Sequence, residues 1–150
     1  MSGAPDPGDH PRVLLSNRQP LPVDEAELTA LARETLRGEG VETSELSVSF
    51  VVDEEIEELH VRFMDEPGPT DVLSFPLDEQ DQDEDGVRVL GDVVIAPAVA
   101  ARNNPGDPDA ELRLLLVHGI LHLLGYDHEE DAERAEMWAR QARYSGVHAP

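Results

Sequence analysis

Apolar and polar residues alternate along several short stretches of the chain, as they do in strands with one buried face. The clearest stretch covers residues 46–52, and a second covers residues 87–95. Residues 12–16 predict a shorter opening strand, and residues 71–76 predict one that Pro76 closes. Because proline cannot donate a backbone hydrogen bond, we expect this last strand at an edge of the sheet, beside a groove.

Between these strands the apolar residues recur every three or four positions, which predicts helices. Asp24 is placed to cap a first helix that ends at Gly38 and Gly40, and Asp53 is placed to cap a second. A short helix is predicted over residues 96–102. His60 lies on the second predicted helix. Nothing near it in sequence would complete a metal site, so we expect it to be an ordinary helical histidine.

The longest predicted helix runs from Pro108 to Leu124 and is apolar on most of its surface. Asp107 precedes it as an N-cap, and a proline at the first helical position loses no hydrogen bond. A helix this apolar in a small domain belongs in the core. A last helix begins with the acids after His128, and Met137 and Trp138 in it are predicted to be packing residues.

These elements predict a single domain of the α+β (mixed α/β) class, with a mixed sheet of about four strands packed with about five helices. Its 150 residues are enough for one core. We expect the domain to cover residues 12–145, with a disordered tail at 1–11 and a frayed one at 146–150. Gly91, inside the strand at 87–95, predicts a bulge or a close backbone approach.

The amino-acid composition limits which residues could bind a metal ion and which partners the surface would attract. The chain has no cysteine, so a metal ion could be held only by His, Asp or Glu, and disulfides are excluded. No signal peptide and no membrane-spanning stretch are apparent, so we expect a soluble, cytoplasmic protein. The acids number 33 against 11 basic residues, all arginine, and the net charge of −22 argues against nucleic-acid binding at long range. Residues 78–86 are so acidic that we expect a solvated loop rather than a calcium site.

Three of the six histidines, His118, His122 and His128, lie within eleven residues of one another. Residues four apart share one face of a helix, so the first two imidazoles should project side by side. Gly125 is placed to end the helix in a left-handed conformation and to turn the chain so that His128 becomes a third ligand. Three neutral nitrogen ligands with an open fourth position are typical of a catalytic zinc site, so we predict one Zn²⁺ at the end of the core helix.

The spacing H-x-x-x-H-x-x-G-x-x-H is also that of the metzincin proteases, which carry Glu directly after the first histidine as the general base. Here that position is Gly119. A glycine cannot accept a proton, so the pattern indicates metal-assisted hydrolysis without the usual peptidase base.

The run from His118 to His128, His-Gly-Ile-Leu-His-Leu-Leu-Gly-Tyr-Asp-His, resembles the signature of the YbeY family of rRNA maturation endoribonucleases. Two further blocks that resemble the family stand upstream in the expected order, Gly-Pro-Thr-Asp-Val-Leu-Ser-Phe-Pro at 68–76 and Leu-Gly-Asp-Val-Val-Ile at 90–95. The resemblance covers roughly residues 12–145. It implies a zinc-dependent endoribonuclease acting on single-stranded RNA, at the 3′ end of small-subunit rRNA and in ribosome quality control.

The resemblance also implies that the strand at 71–76 edges the active-site cleft, which makes Thr70, Asp71 and Ser74 candidates for substrate contact. The family commonly carries a phosphate-contacting arginine six residues before this threonine. This chain has Met64 there and Arg62 two positions earlier, so Arg62 is a candidate whose side chain points in another direction.

Two aspartates are candidates for acid–base work. Asp127 either orients a ligand imidazole, assists proton transfer or is only a turn residue, and Asp92 is expected to point into the cleft.

The expected partners are rRNA and the small ribosomal subunit, with no membrane and no DNA, while the oligomeric state stays open. Two alternatives remain: a zinc metallopeptidase-like hydrolase with a base from elsewhere, and a non-enzymatic ribosome-associated factor whose zinc only locks the helix end.

Overall fold

The computed structural model describes residues 11–64, 71–76, 87–126 and 131–146. Its four strands and five helices confirm the predicted fold class. The elements in chain order are β1 (Arg12–Asn17), α1 (Glu25–Gly38), β2 (Ser44–Phe50), α2 (Asp53–Met64), β3 (Val72–Pro76), β4 (Arg88–Ile95), α3 (Pro97–Asn103), α4 (Pro108–Leu123) and α5 (Asp131–Ser145). The largest difference from prediction is at β2, which begins and ends two residues earlier than its apolar run.

The four described strands form one mixed sheet in the order β1-β2-β4-β3. β1, β2 and β4 run parallel, and β3 pairs antiparallel with β4. β3 therefore lies at an edge of the sheet, as its terminal proline predicted. Helices connect the parallel strands because such a pair needs a crossover rather than a hairpin.

The predicted irregularity at Gly91 is confirmed. Leu90 is an extra residue there, because Glu45 pairs with Val89 while Leu46 pairs with Gly91. Gly91 has a φ of +134°, and a Cβ on it would lie 2.2 Å from the carbonyl oxygen of Phe75. Only glycine allows β3 to approach β4 this closely.

The main core lies on one face of the sheet, under α1 and α4. In β2 every second residue is buried, as expected for a strand covered on one side. The largest fully buried side chains are Phe50, Leu36, Leu46, Ile56, Ile95, Leu116, Ile120, Leu121, Met137, Val48, Val51 and Val93. A smaller cluster on the other face joins Ile56 of α2 to Leu73 and Val94.

Helix α4 is the central helix of the domain. Asp107 caps it by accepting a hydrogen bond from the backbone N–H of Ala110 at 3.1 Å, and Pro108 stands at its first position. Nine of its sixteen residues are buried, which confirms the predicted core helix. Within the described ranges, no helix is both long enough and apolar enough to cross a membrane.

The end of α4 is a Schellman motif. The backbone N–H of Tyr126 donates to the carbonyl oxygen of Leu121, and that of Gly125 donates to the carbonyl oxygen of His122, both at 3.1 Å. Gly125 has a φ of +102°, so the predicted left-handed turn is confirmed. The turn fixes the direction in which the chain leaves the helix toward the next histidine in sequence.

Candidate metal and active site

His118 and His122 lie side by side on α4, as their spacing predicted. The ring centroids are 6.4 Å apart and the ring planes differ by only 4°. His118 is half-buried, and His122, one turn later, is exposed. The pair therefore stands at the margin of the core, with one ring held by protein and the other open to solvent.

Two residues of α5 hold the ring of His118. Its Nδ1 atom lies 2.8 Å from the side-chain oxygen of Gln141, which is 8% exposed. Trp138 meets the same ring edge-on, with centroids 6.4 Å apart and planes at 78°. Trp138 was predicted to be a packing residue, but it is 37% exposed and contacts the candidate ligand. Sequence reasoning missed Gln141, because nothing local joins positions that are 23 residues apart.

The two imidazoles are ligands of a type that zinc binds. A zinc ion about 2.0–2.1 Å from a ring nitrogen lies roughly 3 Å from the ring centroid, so one ion spans about 6 Å between two centroids. The observed separation of 6.4 Å is slightly longer than that span. A tetrahedral angle at the ion needs the rings to come closer by roughly 1 Å. His122 is the more exposed of the two residues.

The third predicted ligand, His128, and the candidate Asp127 lie outside the described residues. Among the residues that are described, no group of three or more His, Cys, Asp or Glu side chains could hold a metal ion. The structure thus brings together two members of the predicted ligand set, and the third stays a prediction.

Gly119, at the position where metzincins carry their general base, packs against the sheet. A Cβ on it would lie 2.7 Å from one methyl of Val93 and 3.4 Å from the hydroxyl of Ser74. The Ser74 hydroxyl donates to the carbonyl oxygen of Gly119 at 3.0 Å. The residue after the first histidine thus faces into the protein, against β3 and β4, and has no room for a glutamate side chain.

The turn after α4 is tied to two other helices through Glu39, the C-cap of α1. Its carboxylate, 5% exposed, accepts hydrogen bonds from the hydroxyls of Tyr126 and Tyr144, each at 2.6 Å, and from Arg140 at 2.7 Å. Burial alone would raise the pKa of Glu39, but these three donors outweigh it and hold the pKa below its ordinary value. The Arg140 guanidinium also lies over the Tyr126 ring, 5.2 Å from its centroid.

Residues 14–146 match the family model described as "Endoribonuclease YbeY". The chain belongs to this family. It is 50% identical over 137 residues to the endoribonuclease YbeY of Beutenbergia cavernae, a match that covers 86% of this chain and 91% of that protein. It is 47% identical over 139 residues to that of Streptomyces coelicolor, covering 85% and 84% respectively.

A solved structure has a similar fold. The solution structure of TM1509 from Thermotoga maritima matches with a TM-score of 0.58 and 31% sequence identity, and the match covers 89% of this chain and 86% of that one. The YbeY resemblance predicted from the histidine block and the two upstream blocks is therefore confirmed, and the mixed fold with it.

Asp92 and Ser74, two candidates from the upstream YbeY-like blocks, occupy different positions relative to α4. Asp92, expected to point into the cleft, pairs with Phe75, and its alternation with Val93 puts its side chain on the face of the sheet opposite α4. Its neighbour Val93 is the residue that faces Gly119 of α4. Ser74, expected to contact substrate, is 9% exposed and uses its hydroxyl to bind α4. Ser74 thus contacts the backbone of α4 beside His118, whereas Asp92 faces away from that helix.

Asp71 is half-buried just before β3. Its carboxylate accepts a hydrogen bond from the side-chain amide of Asn103 at 3.2 Å, and its backbone oxygen accepts one from Ala96 at 3.0 Å. Burial, and then the charge of Asp71, raise the pKa of Glu111 on α4, against a hydrogen bond from Asn103. Thr70 lies outside the described residues.

Arg62 lies in the last turn of α2. Its guanidinium is 3.8 Å from the carboxylate of Glu58, one turn earlier, and both side chains are about two-thirds exposed. An exposed pair of this kind contributes little to stability and leaves the arginine accessible.

Much of the positive charge in the described ranges is already paired with carboxylates. Five of the chain's eleven arginines form ion pairs there, namely Arg18, Arg62, Arg102, Arg113 and Arg140. Carboxylates thus neutralise at least five of the eleven arginines, which reduces the attraction of the surface for a phosphate backbone.

Proposed function

We propose that this YbeY-family protein is a zinc-dependent endoribonuclease that cuts single-stranded RNA, with residues 12–145 as the catalytic domain. His118, His122 and His128 would hold the ion. The observation that carries the proposal is the pair of parallel imidazoles at the end of the core helix, in a chain whose relatives are named endoribonucleases.

When bound, zinc supplies a Lewis acid for a phosphoryl oxygen and lowers the pKa of a water molecule toward neutrality. The protein's own residues prepare the place for it. Gln141 and Trp138 hold His118 in one orientation, while the exposed His122 faces the solvent from which a substrate arrives. Imidazoles carry no negative charge, so the ligand set leaves the electrophilic character of a divalent ion undiminished.

The proton acceptor must come from another position than 119. The packing of Gly119 against Val93 excludes the peptidase arrangement, and Asp92 points away from α4. Asp127, directly before the third proposed ligand, remains the proposed acid–base or orienting residue. This packing favours phosphodiester over peptide hydrolysis, since the metzincin-type base has no place here.

The proposed substrate is the 3′ end of small-subunit rRNA in the cytoplasm, with the small ribosomal subunit as partner and a role in ribosome quality control. Support for this comes from membership of the YbeY endoribonuclease family. Arg62, Thr70 and Asp71 are proposed to contact the RNA. Because the surface repels phosphates, we expect cleavage to improve when moderate salt screens that repulsion.

The test is cleavage of a single-stranded RNA with purified protein, before and after removal of metal, beside elemental analysis. His122→Ala should bind less zinc and cut slowly, because it removes a proposed ligand without touching the core. His60→Ala is the matched control, since it deletes the same side chain from α2.

Cleavage that continues unchanged after chelation, or in His122→Ala, would refute the metal-dependent nuclease. Loss of cleavage in His60→Ala to the same extent would show that the effect is not specific to the site. Protein that binds zinc tightly but cuts no RNA would instead support the structural-zinc alternative.

A further inference from the structure

The ring of His118 has a specific partner that the proposed mechanism uses only as a support. Its Nδ1 atom lies 2.8 Å from the side-chain oxygen of Gln141 on α5. Gln141 is 8% exposed and His118 is half-buried, so the contact is partly buried. A buried polar group such as the Gln141 side chain is costly without a partner. An amide oxygen accepts hydrogen bonds and cannot donate them.

A neutral imidazole carries its proton on one nitrogen only. If Nδ1 faces an acceptor, Nδ1 carries the proton and Nε2 keeps the lone pair that a metal needs. We propose that Gln141 is a positioning residue that holds His118 in the Nδ1–H tautomer, so that Nε2 is ready to bind the ion before any ion arrives. This inference rests on the proposed metal site.

The chemistry of the partner also matters. Ligand histidines commonly donate their second N–H to a carboxylate, a backbone carbonyl or a water molecule, and loss of such a partner typically reduces metal affinity by about 10–100-fold. Here the acceptor is a neutral amide, which fixes the tautomer without adding negative charge behind the ligand. Trp138 restricts the same ring from its edge, so rotation away from Gln141 is opposed on two sides.

The test begins with metal-free full-length protein, in which long-range ¹H–¹⁵N NMR reports the tautomer of His118 directly. The wild type should show a protonated Nδ1 and an unprotonated Nε2. Gln141→Leu should give a mixture of tautomers, and its Kd for zinc, measured by competition with a chromophoric chelator, should rise by about 10–100-fold.

Gln141→Glu keeps an acceptor of the same shape and tests the reason for the effect. It should retain the Nδ1–H tautomer and bind zinc at least as tightly as the wild type, because it adds a negative charge behind the ligand. It also serves if Gln141→Leu fails to fold. Met137→Leu, a volume-conserving change at a fully buried site on the same helix, should leave the tautomer and the Kd unchanged.

A wild-type His118 with its proton on Nε2 would overturn the inference. So would a folded Gln141→Leu variant with an unchanged tautomer and zinc Kd, or a Gln141→Glu variant that moves the proton to Nε2. The proposed function fails separately: protein that shows the expected tautomer but binds no zinc, or binds zinc and cuts no RNA, refutes the nuclease and leaves the tautomer assignment in place.

Discussion

The contact between Gly119 and Val93 gives a prediction with a defined sign. In Gly119→Ala the new methyl would start 2.7 Å and 3.3 Å from the two Cγ atoms of Val93, which is fully buried and β-branched. Overpacking of this kind costs about 1–3 kcal/mol, and replacing a helical glycine with alanine recovers about 1 kcal/mol. We therefore expect a net loss of about 1 kcal/mol in the free energy of unfolding.

Val93→Ala removes the two methyls that the new side chain would meet. In that background Gly119→Ala should stabilise the protein by about 1 kcal/mol, because only the gain in helix propensity remains. The two effects differ by about 2 kcal/mol, which is within the range measured for residues in direct contact.

Urea unfolding of the four proteins, followed by circular dichroism with chelator present, measures this coupling. Gly106→Ala is the control, since its Cβ would meet only the side-chain oxygen of Asn104, at 3.8 Å. A coupling near zero, with Gly119→Ala costing the same in both backgrounds, would refute the packing explanation for the missing glutamate.

Three further changes test the network at α1, the sheet edge and the helix cap. Glu39→Gln should lower the free energy of unfolding at pH 7 by about 1–3 kcal/mol. Because the pKa of Glu39 is depressed in the folded state, the stability advantage of the wild type should be full above the ordinary glutamate pKa and should shrink as the pH falls below it. Urea titrations at several pH values measure this, and an advantage that grows toward acid would contradict it. Gly91→Ala should destabilise the protein by more than about 2 kcal/mol, since the new Cβ would lie 2.2 Å from the Phe75 carbonyl oxygen. A thermal unfolding midpoint equal to that of the wild type would rule out this close approach. Asp107→Ala should cost about 1 kcal/mol by freeing the N–H of Ala110, while Asp107→Asn should cost much less; equal losses in chemical unfolding would show that the cap is not responsible.

The elements that local chemistry determines were predictable from the sequence. Asp24 and Asp107 cap the helices they were expected to cap, and Gly125 ends α4 in the left-handed conformation. The edge position of β3 followed from Pro76, because proline cannot donate to a second neighbour. The spacing of the histidines placed two rings on one face, since helical geometry depends only on the interval.

Contacts between elements that are distant in sequence could not be predicted from the sequence pattern. Alternation in β4 shows that Asp92 and Val93 face opposite ways, but the sequence does not show which of them faces α4. In the structure it is Val93. The resemblance made Ser74 a candidate for substrate contact, but nothing in the sequence indicated that its hydroxyl donates to the Gly119 carbonyl inside the protein. Gln141 gives no local signal at all, because its function depends on how α5 packs against α4.

The contacts of Glu39 have a consequence for how the chain folds. They join positions 87, 101 and 105 residues apart, so they close some of the longest loops in the molecule. Loops of this size form slowly, because the chain loses conformational entropy on closing the loop before the new contacts stabilise it. A nascent chain emerging from the ribosome can build β1, α1 and β2 early. It can complete the contacts of Glu39 that hold the exit from the histidine helix only after residues 140–144 have been synthesised.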